Sequence, residues 1–338
     1  MKRTAAFTTS VPVEVILAAG FKPLDLNNIF VSAQNPYDLV EKAEVEGFAG
    51  SSCAWIKGLY SVMTGGFLDP LTDVFIAVTE GDCSNAKVLE QIVSMKTGIR
   101  SFIFNYPYER DAAKMSDEID RFAKFMGTTL EKCESVRSSL SSLRKKLKYI
   151  DELSYKFPGI IKGVENHLFL VSSSDFNGDP VLFEKNVDDF LKTVEERKSG
   201  FKEKNIKKIA YLGVPPIVPI HEFIEKKGAV VIYNEIQREF AMLDECDSLA
   251  LQYTNYSYPY SARFRFEKAL SEIKKRKPDG IIHYVQSFCH RQLEDIILRT
   301  ALSELKLEAP VLTIEFDKPA GNVDARVATR IEAFLETI

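Results

Sequence analysis

Three of the five cysteines stand where a thiol could take part in chemistry. Cys289 lies where a short β-rich apolar run gives way to helical spacing, Cys83 follows another predicted strand, and Cys53 falls in the first turn of a predicted helix. In an open α/β sheet, ligands bind at the carboxyl ends of the strands, where the unpaired N–H groups of the next helix favour a thiolate. A buried cysteine is also a common small core residue. Spacing alone therefore leaves core packing and metal binding both open.

Several polar side chains near these cysteines are candidates for proton transfer or substrate binding. They are His290, His283, Glu80, Asp82, Ser51 and Ser52. Each also has a structural alternative: a histidine inside a strand is often a hydrogen-bonded core residue, and carboxylates or hydroxyls often cap helices or accept backbone N–H groups. The stretch YTNYSYPY, residues 253–260, could line a ligand cleft or form a packed surface loop.

The sequence lacks the common motifs of several enzyme classes. It contains no GxxxxGK[ST], no GxGxxG after a predicted strand, no HExxH and no GxSxG. These absences argue against ATP hydrolysis by the chain itself, against a zinc-protease type of site and against a serine nucleophile elbow. The four histidines are scattered, which makes a zinc site built on them unlikely.

Composition indicates an ordinary globular protein that works in the cytoplasm. The chain has 338 residues, 45% of them hydrophobic and 27% charged, which suggests two domains. A net charge of −4 argues against a nucleic-acid partner. No apolar run reaches the length of about 18 residues needed to span a membrane, and Glu14 interrupts the only apolar stretch that could resemble a signal peptide. An odd number of cysteines without a CxxC pair favours metal binding, catalysis or core packing over disulfides.

The order of the predicted elements indicates an α/β fold. Strands alternate with helices up to about residue 110 and again after residue 205, as in parallel βαβ units. Residues 112–198 between them show almost no strand pattern. We predict two Rossmann-like (flavodoxin-like) lobes with parallel sheets, separated by a helical hairpin. The predicted parts are an N-terminal lobe at residues 1–111, a helical hairpin region at 112–204 and a C-terminal lobe at 205–338.

Local patterns fix individual elements. FKPLDL, ending at Leu26, is the first predicted strand, and Ser51 or Ser52 is predicted to cap the helix containing Cys53. A spacing of three and four residues predicts a seam of packed helices, with a matching stripe later in the chain. The seam comprises Cys133, Val136, Leu140, Leu143, Leu147 and Ile150, and the stripe Phe183, Val187, Phe190, Leu191 and Val194. Cys133 is therefore predicted to be a packing residue, whereas Cys246 has no clear setting. After Cys289, helical spacing of Leu293, Ile296, Ile297 and Ala301 predicts a helix.

The chain resembles the family of 2-hydroxyacyl-CoA dehydratase and benzoyl-CoA reductase subunits, including the D-component of 2-hydroxyglutaryl-CoA dehydratase, over nearly its whole length. The likeness is carried by VPVEVILAAGFKPLDL, SSCAW and GDCSNAK in the first half. In the second half it is carried by YPYSARFRFEKALSEIKKRKPDGIIHYVQSFC and EFDKPAGNVDARVATRIEAFLE.

This resemblance implies that Cys53, Cys83 and Cys289 hold a [4Fe–4S] cluster. Three thiolate ligands leave the fourth iron open to water or a substrate oxygen. In the family, a separate ATP-dependent iron–sulfur activator protein supplies an electron that reaches the thioester carbonyl of an acyl-CoA. The resulting ketyl radical expels a leaving group or accepts further electrons, so members are lyases or reductases. Partners would be a homologous second subunit, or a second copy in a homodimer. The side chains assigned to catalysis are His290, Glu80 and Ser51.

Two departures from the family pattern leave alternatives open. Members commonly have Asp-Gly after the second cysteine and Asp-Pro after the third, whereas this chain has Ser84-Asn85 and His290-Arg291. The substrate could therefore differ from known hydroxyacyl-CoA thioesters. One alternative is an ATP-dependent reductase of a small non-CoA substrate that carries an [8Fe–9S] double-cubane cluster. Another is a cluster-free, non-catalytic partner subunit.

Overall fold

Two four-stranded parallel sheets form the framework of the protein in a computed structural model that describes residues 3–66, 72–202 and 205–338. The first sheet contains β1 (Thr4–Phe7), β2 (Lys22–Asp25), β3 (Val74–Glu80) and β4 (Ser101–Asn105), in the order β2-β1-β3-β4. The second contains β5 (Lys207–Gly213), β6 (Ala229–Asn234), β7 (Gly280–Gln286) and β8 (Val311–Phe316), in the order β6-β5-β7-β8. The predicted α/β class with two Rossmann-like lobes is confirmed.

Helices connect and cover these strands. The α-helices of the first half are α1 (Val13–Ala18), α2 (Leu26–Ser32), α3 (Pro36–Val45), α4 (Ala54–Thr64), α5 (Asn85–Thr97), α6 (Ala112–Met126), α7 (Leu130–Ser139) and α8 (Ser141–Lys156). They are followed by α9 (Gly163–Val171), α10 (Pro180–Ser199), α11 (Ile220–Lys226), α12 (Glu235–Ala241), α13 (Leu249–Asn255), α14 (Ala262–Arg276), α15 (Glu294–Glu304) and α16 (Ala325–Thr337). Short 3₁₀ turns occupy Ser172–Ser174, Phe176–Gly178 and His290–Leu293. None of the helices described is long and apolar enough to cross a membrane.

The chain folds into two compact units that are interleaved in sequence. The first unit contains residues up to 142, together with 172–183 and 244–260, and the second contains 143–171, 184–243 and 261–338. Each unit holds one sheet. The helical region predicted at 112–204 therefore contributes to both units.

The central strands are almost wholly apolar because helices cover both faces of each sheet. Residues 74–78 of β3 and all seven residues of β7 are buried. Buried parallel strands carry near-continuous apolar runs rather than an alternating pattern. For this reason most strands could be located from the sequence.

The start of the chain differs from the prediction in two respects. FKPLDL forms β2, but the strand ends at Asp25, and Leu26 begins helix α2. The helix starts there because the Asp25 carboxylate accepts the N–H of Asn27 at 2.9 Å and so caps it. Strand β1 was not predicted: its sequence TAAF contains two alanines, which form strands poorly in isolation, and it pairs with both β2 and β3.

The predicted helical seam is divided between two helices. Helix α7 ends at Ser139 and α8 begins at Ser141, so the seam passes from the first unit to the second. Cys133 is fully buried on α7, which packs against α1. The predicted packing role of Cys133 agrees with this position.

Helix α15 forms where its apolar spacing predicted it, yet it buries a different face. Leu293 and Ile296 are largely exposed, whereas Leu298 and Leu302 are buried against α14. Two residues one helical turn apart thus anchor the helix that follows Cys289.

Candidate functional site

Cys53 is the N-cap residue of helix α4 in the first unit. Its backbone carbonyl accepts the N–H of Lys57 and so begins the helix, while its side chain is buried. The expectation that Ser51 or Ser52 caps this helix is wrong, because the Ser52 hydroxyl donates to the carbonyl of Ala49, at 2.7 Å, in the preceding turn. A residue at this position lies at the positive end of the helix dipole, which favours the thiolate form of a cysteine.

A buried lysine fixes the turn that leads into Cys53. The Lys57 side chain has no exposed surface, and its ammonium group donates to the carbonyl of Gly50 at 2.9 Å and to a Glu44 carboxylate oxygen at 2.7 Å. It therefore ties the turn to helix α3. Our reading of the sequence missed this residue, although a lone lysine within the apolar helix AWIKGLYSVM was a usable signal.

Cys83 lies in the loop that joins β3 to α5, also in the first unit. Its carbonyl accepts the N–H of Ala86 at 2.9 Å, and its side chain is half-buried. Gly81, two residues earlier, has a φ of +90°, and a Cβ there would lie 2.7 Å from the Cβ of Tyr106 and 2.9 Å from the Cβ of Pro259. Glycine is needed at this position because the loop packs directly on these residues.

The tyrosine-rich segment 253–260 packs against the loop that contains Gly81 and Cys83. The Tyr258 hydroxyl donates to an Asp82 carboxylate oxygen at 3.3 Å, and the Tyr256 ring lies 5.9 Å from the ring of Tyr106. Burial raises the pKa of both Tyr106 and Tyr256 well above the usual value for a tyrosine, so their hydroxyls stay protonated. The segment thus covers the Cys83 loop with buried aromatic rings.

Cys53 and Cys83 stand at the starts of two helices that pack on one another. Helix α4 leads into β3 and α5 leaves it, and the two helices are in contact. In a parallel α/β sheet such helices run antiparallel to the strands, so both begin at the carboxyl edge. Glu80 and Ser51, both exposed, lie at the same edge, at the end of β3 and two residues before Cys53.

Cys289 follows β7 in the second unit, with a turn between strand and helix. Its N–H donates to the carbonyl of Gln286 at 3.2 Å, and Phe288 before it adopts a left-handed φ of +60°. The 3₁₀ turn His290–Leu293 separates Cys289 from α15, so the junction is less direct than the sequence suggested. Strands β3 and β7 hold the same third place in their sheets, so Cys83 and Cys289 follow equivalent strands.

The two histidines near Cys289 have different surroundings. His283 is buried in β7, and its Nδ1 lies 2.9 Å from an Asp295 carboxylate oxygen. His290 begins the 3₁₀ turn, and although its ring reaches the surface, partial burial and the neighbouring Arg291 lower its pKa. The geometry of His283 is that of a hydrogen-bonded core histidine, and His290 alone of the two is accessible.

Cys133 and Cys246 have surroundings that differ from those of Cys53, Cys83 and Cys289. Burial raises the pKa of the Cys133 thiol to about 12, which keeps it protonated and unreactive. The Cys246 sulfur lies 3.3 Å from the side-chain nitrogen of Asn255. Both residues belong to the first unit, and neither directly follows a strand in sequence.

Three of the cysteines offer sulfur donors near the ends of strands or the starts of helices. None of the five cysteines forms a disulfide, and three of them follow strands or begin helices. Across the part of the chain that the structure describes, no group of three or more histidine, cysteine or acidic side chains is arranged to hold one metal ion. Thiolates are the usual ligands of iron–sulfur clusters, whose irons are bound one thiolate each.

Comparison with known protein families identifies the family of the chain. The sequence profile described as 2-hydroxyglutaryl-CoA dehydratase, D-component, matches residues 8–338, a range that includes all five cysteines. No curated protein gives a match. The match confirms the resemblance noted in the sequence, and the description implies an enzyme with at least one further component. The chain thus belongs to the 2-hydroxyglutaryl-CoA dehydratase D-component family, whose members are subunits of the 2-hydroxyacyl-CoA dehydratase type.

Proposed function

We propose that the chain is the iron–sulfur subunit of a 2-hydroxyacyl-CoA dehydratase or benzoyl-CoA reductase-like enzyme, with Cys53, Cys83 and Cys289 holding a [4Fe–4S] cluster. The observation that carries this proposal is the family match over residues 8–338 together with the position of three cysteines at helix starts and after strand ends.

The surroundings of the cysteines support the proposal. Cys53 is the N-cap of α4 and so lies at the positive end of that helix dipole. Positive charge favours the thiolate, which is the form that binds iron. When bound, a cluster with three protein ligands would supply one-electron reduction and an open iron that acts as a Lewis acid.

The protein would contribute orientation and a dry environment. We assign contact with the acyl-CoA thioester to His290, Glu80 and Ser51, because each flanks a proposed ligand at an exposed position. The buried rings of Tyr106, Tyr256 and neighbouring tyrosines would keep water from the Cys83 loop. The choice between dehydration and reduction would depend on the substrate admitted.

Two partners are part of the proposal. The D-component description supports a second component, which we expect to be homologous or a second copy of this chain. An ATP-dependent iron–sulfur activator would deliver the electron, since the sequence has no phosphate-binding loop of its own.

The first test is iron and acid-labile sulfide per chain in protein purified without oxygen, with visible spectra before and after dithionite. We expect about four of each and an absorption that bleaches on reduction. Cys83→Ser should lose the iron while its far-ultraviolet circular dichroism is unchanged. Cys133→Ala is the matched control, because that thiol is buried and protonated, and it should keep the iron.

Other results would change the assignment. About eight irons per chain would favour the double-cubane reductase. A wild-type chain without iron after anaerobic reconstitution would contradict the cluster proposal and leave the cluster-free partner subunit. Loss of iron in Cys133→Ala would mean that the ligand set is wrong.

A further inference from the structure

Arg265 is among the largest side chains that are fully buried in the described part of the chain. It lies on helix α14 in the second unit, and its side chain is 1% exposed. Burying a guanidinium group is costly unless it is paired and hydrogen-bonded. The position of its partners therefore indicates what it holds in place.

The partners of Arg265 are the first residues of two helices. Its Nε donates to a Glu235 carboxylate oxygen at 2.7 Å, and its Nη1 forms an ion pair with Glu294. Glu235 begins α12, directly after β6, and Glu294 begins α15, directly after the 3₁₀ turn His290–Leu293 that Cys289 caps. One guanidinium group thus joins the starts of both helices.

The second carboxylate oxygen of Glu235 bonds to the end of β5, and that of Glu294 bonds to the turn after Cys289. Glu235 accepts the N–H of Gly213, at the end of β5, at 2.9 Å. Glu294 accepts Nη1 of Arg291, two residues after Cys289, at 2.9 Å. Two arginines and two glutamates thus form a charge-balanced network that includes Arg291 of the Cys289 turn, which is the segment from Ser287 to Leu293.

The end of β5 is closely packed in this network. Gly213 has a φ of +106°, and a Cβ there would lie 2.1 Å from the backbone oxygen of Tyr284 on β7. The close approach lets Glu235 reach the N–H of Gly213. The buried network therefore rests on the two central strands of the second sheet.

A second anchor holds the same turn from the surface. One Glu315 carboxylate oxygen accepts the Ser287 hydroxyl at 2.6 Å and the Gln292 amide at 2.8 Å, on either side of Cys289. Phe288 in this turn has a left-handed backbone, which is unfavourable for a residue with a side chain. A strained turn keeps its shape only when its surroundings fix it.

We infer that Arg265 is a positioning residue for Cys289: through Glu294 and Arg291 it fixes the turn that presents the thiol at the end of β7. The inference deepens the proposed function, since it rests on that proposal for the role of Cys289 as a ligand. The geometry of the turn itself does not depend on iron.

The test compares two lysine substitutions on the same helix. Arg276 is as buried as Arg265 and is also paired, with Asp151 oxygens 3.0 and 2.5 Å from its two terminal nitrogens, but it has no contact with the Cys289 turn. The rate of iodoacetamide alkylation is measured at each cysteine of the iron-free full chain by peptide mass spectrometry. Cys246, in the first unit, is the internal reference.

We expect Arg265→Lys to change the Cys289 alkylation rate about fivefold or more while the Cys246 rate stays constant. Arg276→Lys should change neither rate. An unchanged Cys289 rate in Arg265→Lys, or equal changes in both variants, would overturn the inference. If Arg265→Lys does not fold, Glu294→Gln decides by the same criterion, because it keeps the side-chain shape and removes the ion pair.

A second readout separates this inference from the proposed function. After anaerobic reconstitution, Arg265→Lys should bind less iron than Arg276→Lys, or hold it at a shifted reduction potential. A wild-type chain that binds no iron contradicts the cluster proposal, and the alkylation rates then still decide the role of Arg265.

Discussion

Lys57 shows how much a single buried charge can determine near a reactive thiol. Its ammonium group bonds to the Gly50 carbonyl and the Glu44 carboxylate, so it closes the turn before Cys53. A lysine is rarely buried without such partners, because removal of the ammonium group from water is costly. Cys53 caps α4 and Lys57 lies one helical turn later, so the Lys57 side chain holds the turn that leads into the Cys53 position.

Replacement of Lys57 by methionine should lower the free energy of unfolding by about 1–3 kcal/mol, because the Gly50 carbonyl and Glu44 lose their donor. The exposed Lys87→Met on α5 is the control and should have an effect below about 0.5 kcal/mol. Urea denaturation of both variants measures the difference. Equal effects would show that the bonds of the Lys57 ammonium group contribute no more to stability than an exposed lysine does.

At the scale of elements, two 3₁₀ turns, Ser172–Ser174 and Phe176–Gly178, are held at the end of β2. The contact, a clasp, consists of hydrogen bonds among Asp25, Ser174 and Asp175. Asp175 accepts the N–H of Asp25 at 2.8 Å, and the Ser174 hydroxyl donates to the Asp25 carboxylate at 2.6 Å. Phe176, Asn177 and Gly178 all have positive φ values, so the segment is held in a strained form. The clasp brings a segment from the middle of the chain to the first sheet.

The clasp should make stability depend on pH in a definite direction. Burial, and next the charge of Asp25, raise the pKa of Asp175 to about 7. A carboxyl group with a raised pKa in the folded state stabilises the protein fully below its unfolded value of about 4, and this stabilisation is lost as the pH rises to about 7. The contribution should change by at most about 1.4 kcal/mol per pH unit and be constant above pH 7.

Asp175→Asn isolates this contribution, because the amide does not titrate. The free energy of unfolding of the wild type minus that of the variant should fall between pH 5 and pH 7 and then level off. The variant also lacks one of the two acceptor oxygens of Asp175, and this adds a pH-independent amount to the difference. Urea titrations at pH 5, 6, 7 and 8 measure it, and a difference independent of pH would mean that Asp175 is ionised throughout.

At the scale of the whole molecule, the two sheets have the same strand order. In each, the third strand carries a cysteine at its carboxyl end: Cys83 after β3 and Cys289 after β7. The sequence shows no repeat between the halves, so the equivalence is one of topology. An open α/β sheet places its ligands beside the point where strand order reverses, which here is between the first and second central strands of each sheet.

Because a metal that binds only the folded chain shifts the unfolding equilibrium, iron loading should stabilise the protein. Reconstitution with iron and sulfide should raise the midpoint of thermal unfolding, and chelation should reverse the change. Cys289→Ser should remove most of this stabilisation, whereas Cys133→Ala should retain it. Calorimetry of the loaded and unloaded forms measures the effect, and an equal rise in Cys289→Ser would show that Cys289 is not a ligand.

The sequence by itself determined the features that depend on neighbouring residues. Apolar runs located the central strands, because a parallel strand buried on both faces is recognisable within a few residues. The cysteines at the ends of β3 and β7 followed from those runs, and the ordered segments around them indicated the family, which the profile match confirms.

Only the tertiary structure decided features that join residues distant in sequence. Strand β1 depends on pairing with two other strands, and the buried face of α15 depends on α14. The network of Arg265 and the clasp of Asp175 combine residues 29 and 150 positions apart. Local propensity carries no information about such contacts. The free energy of the buried ion pairs is the balance between the cost of taking charges out of water and the gain from pairing them, and both depend on how distant segments pack.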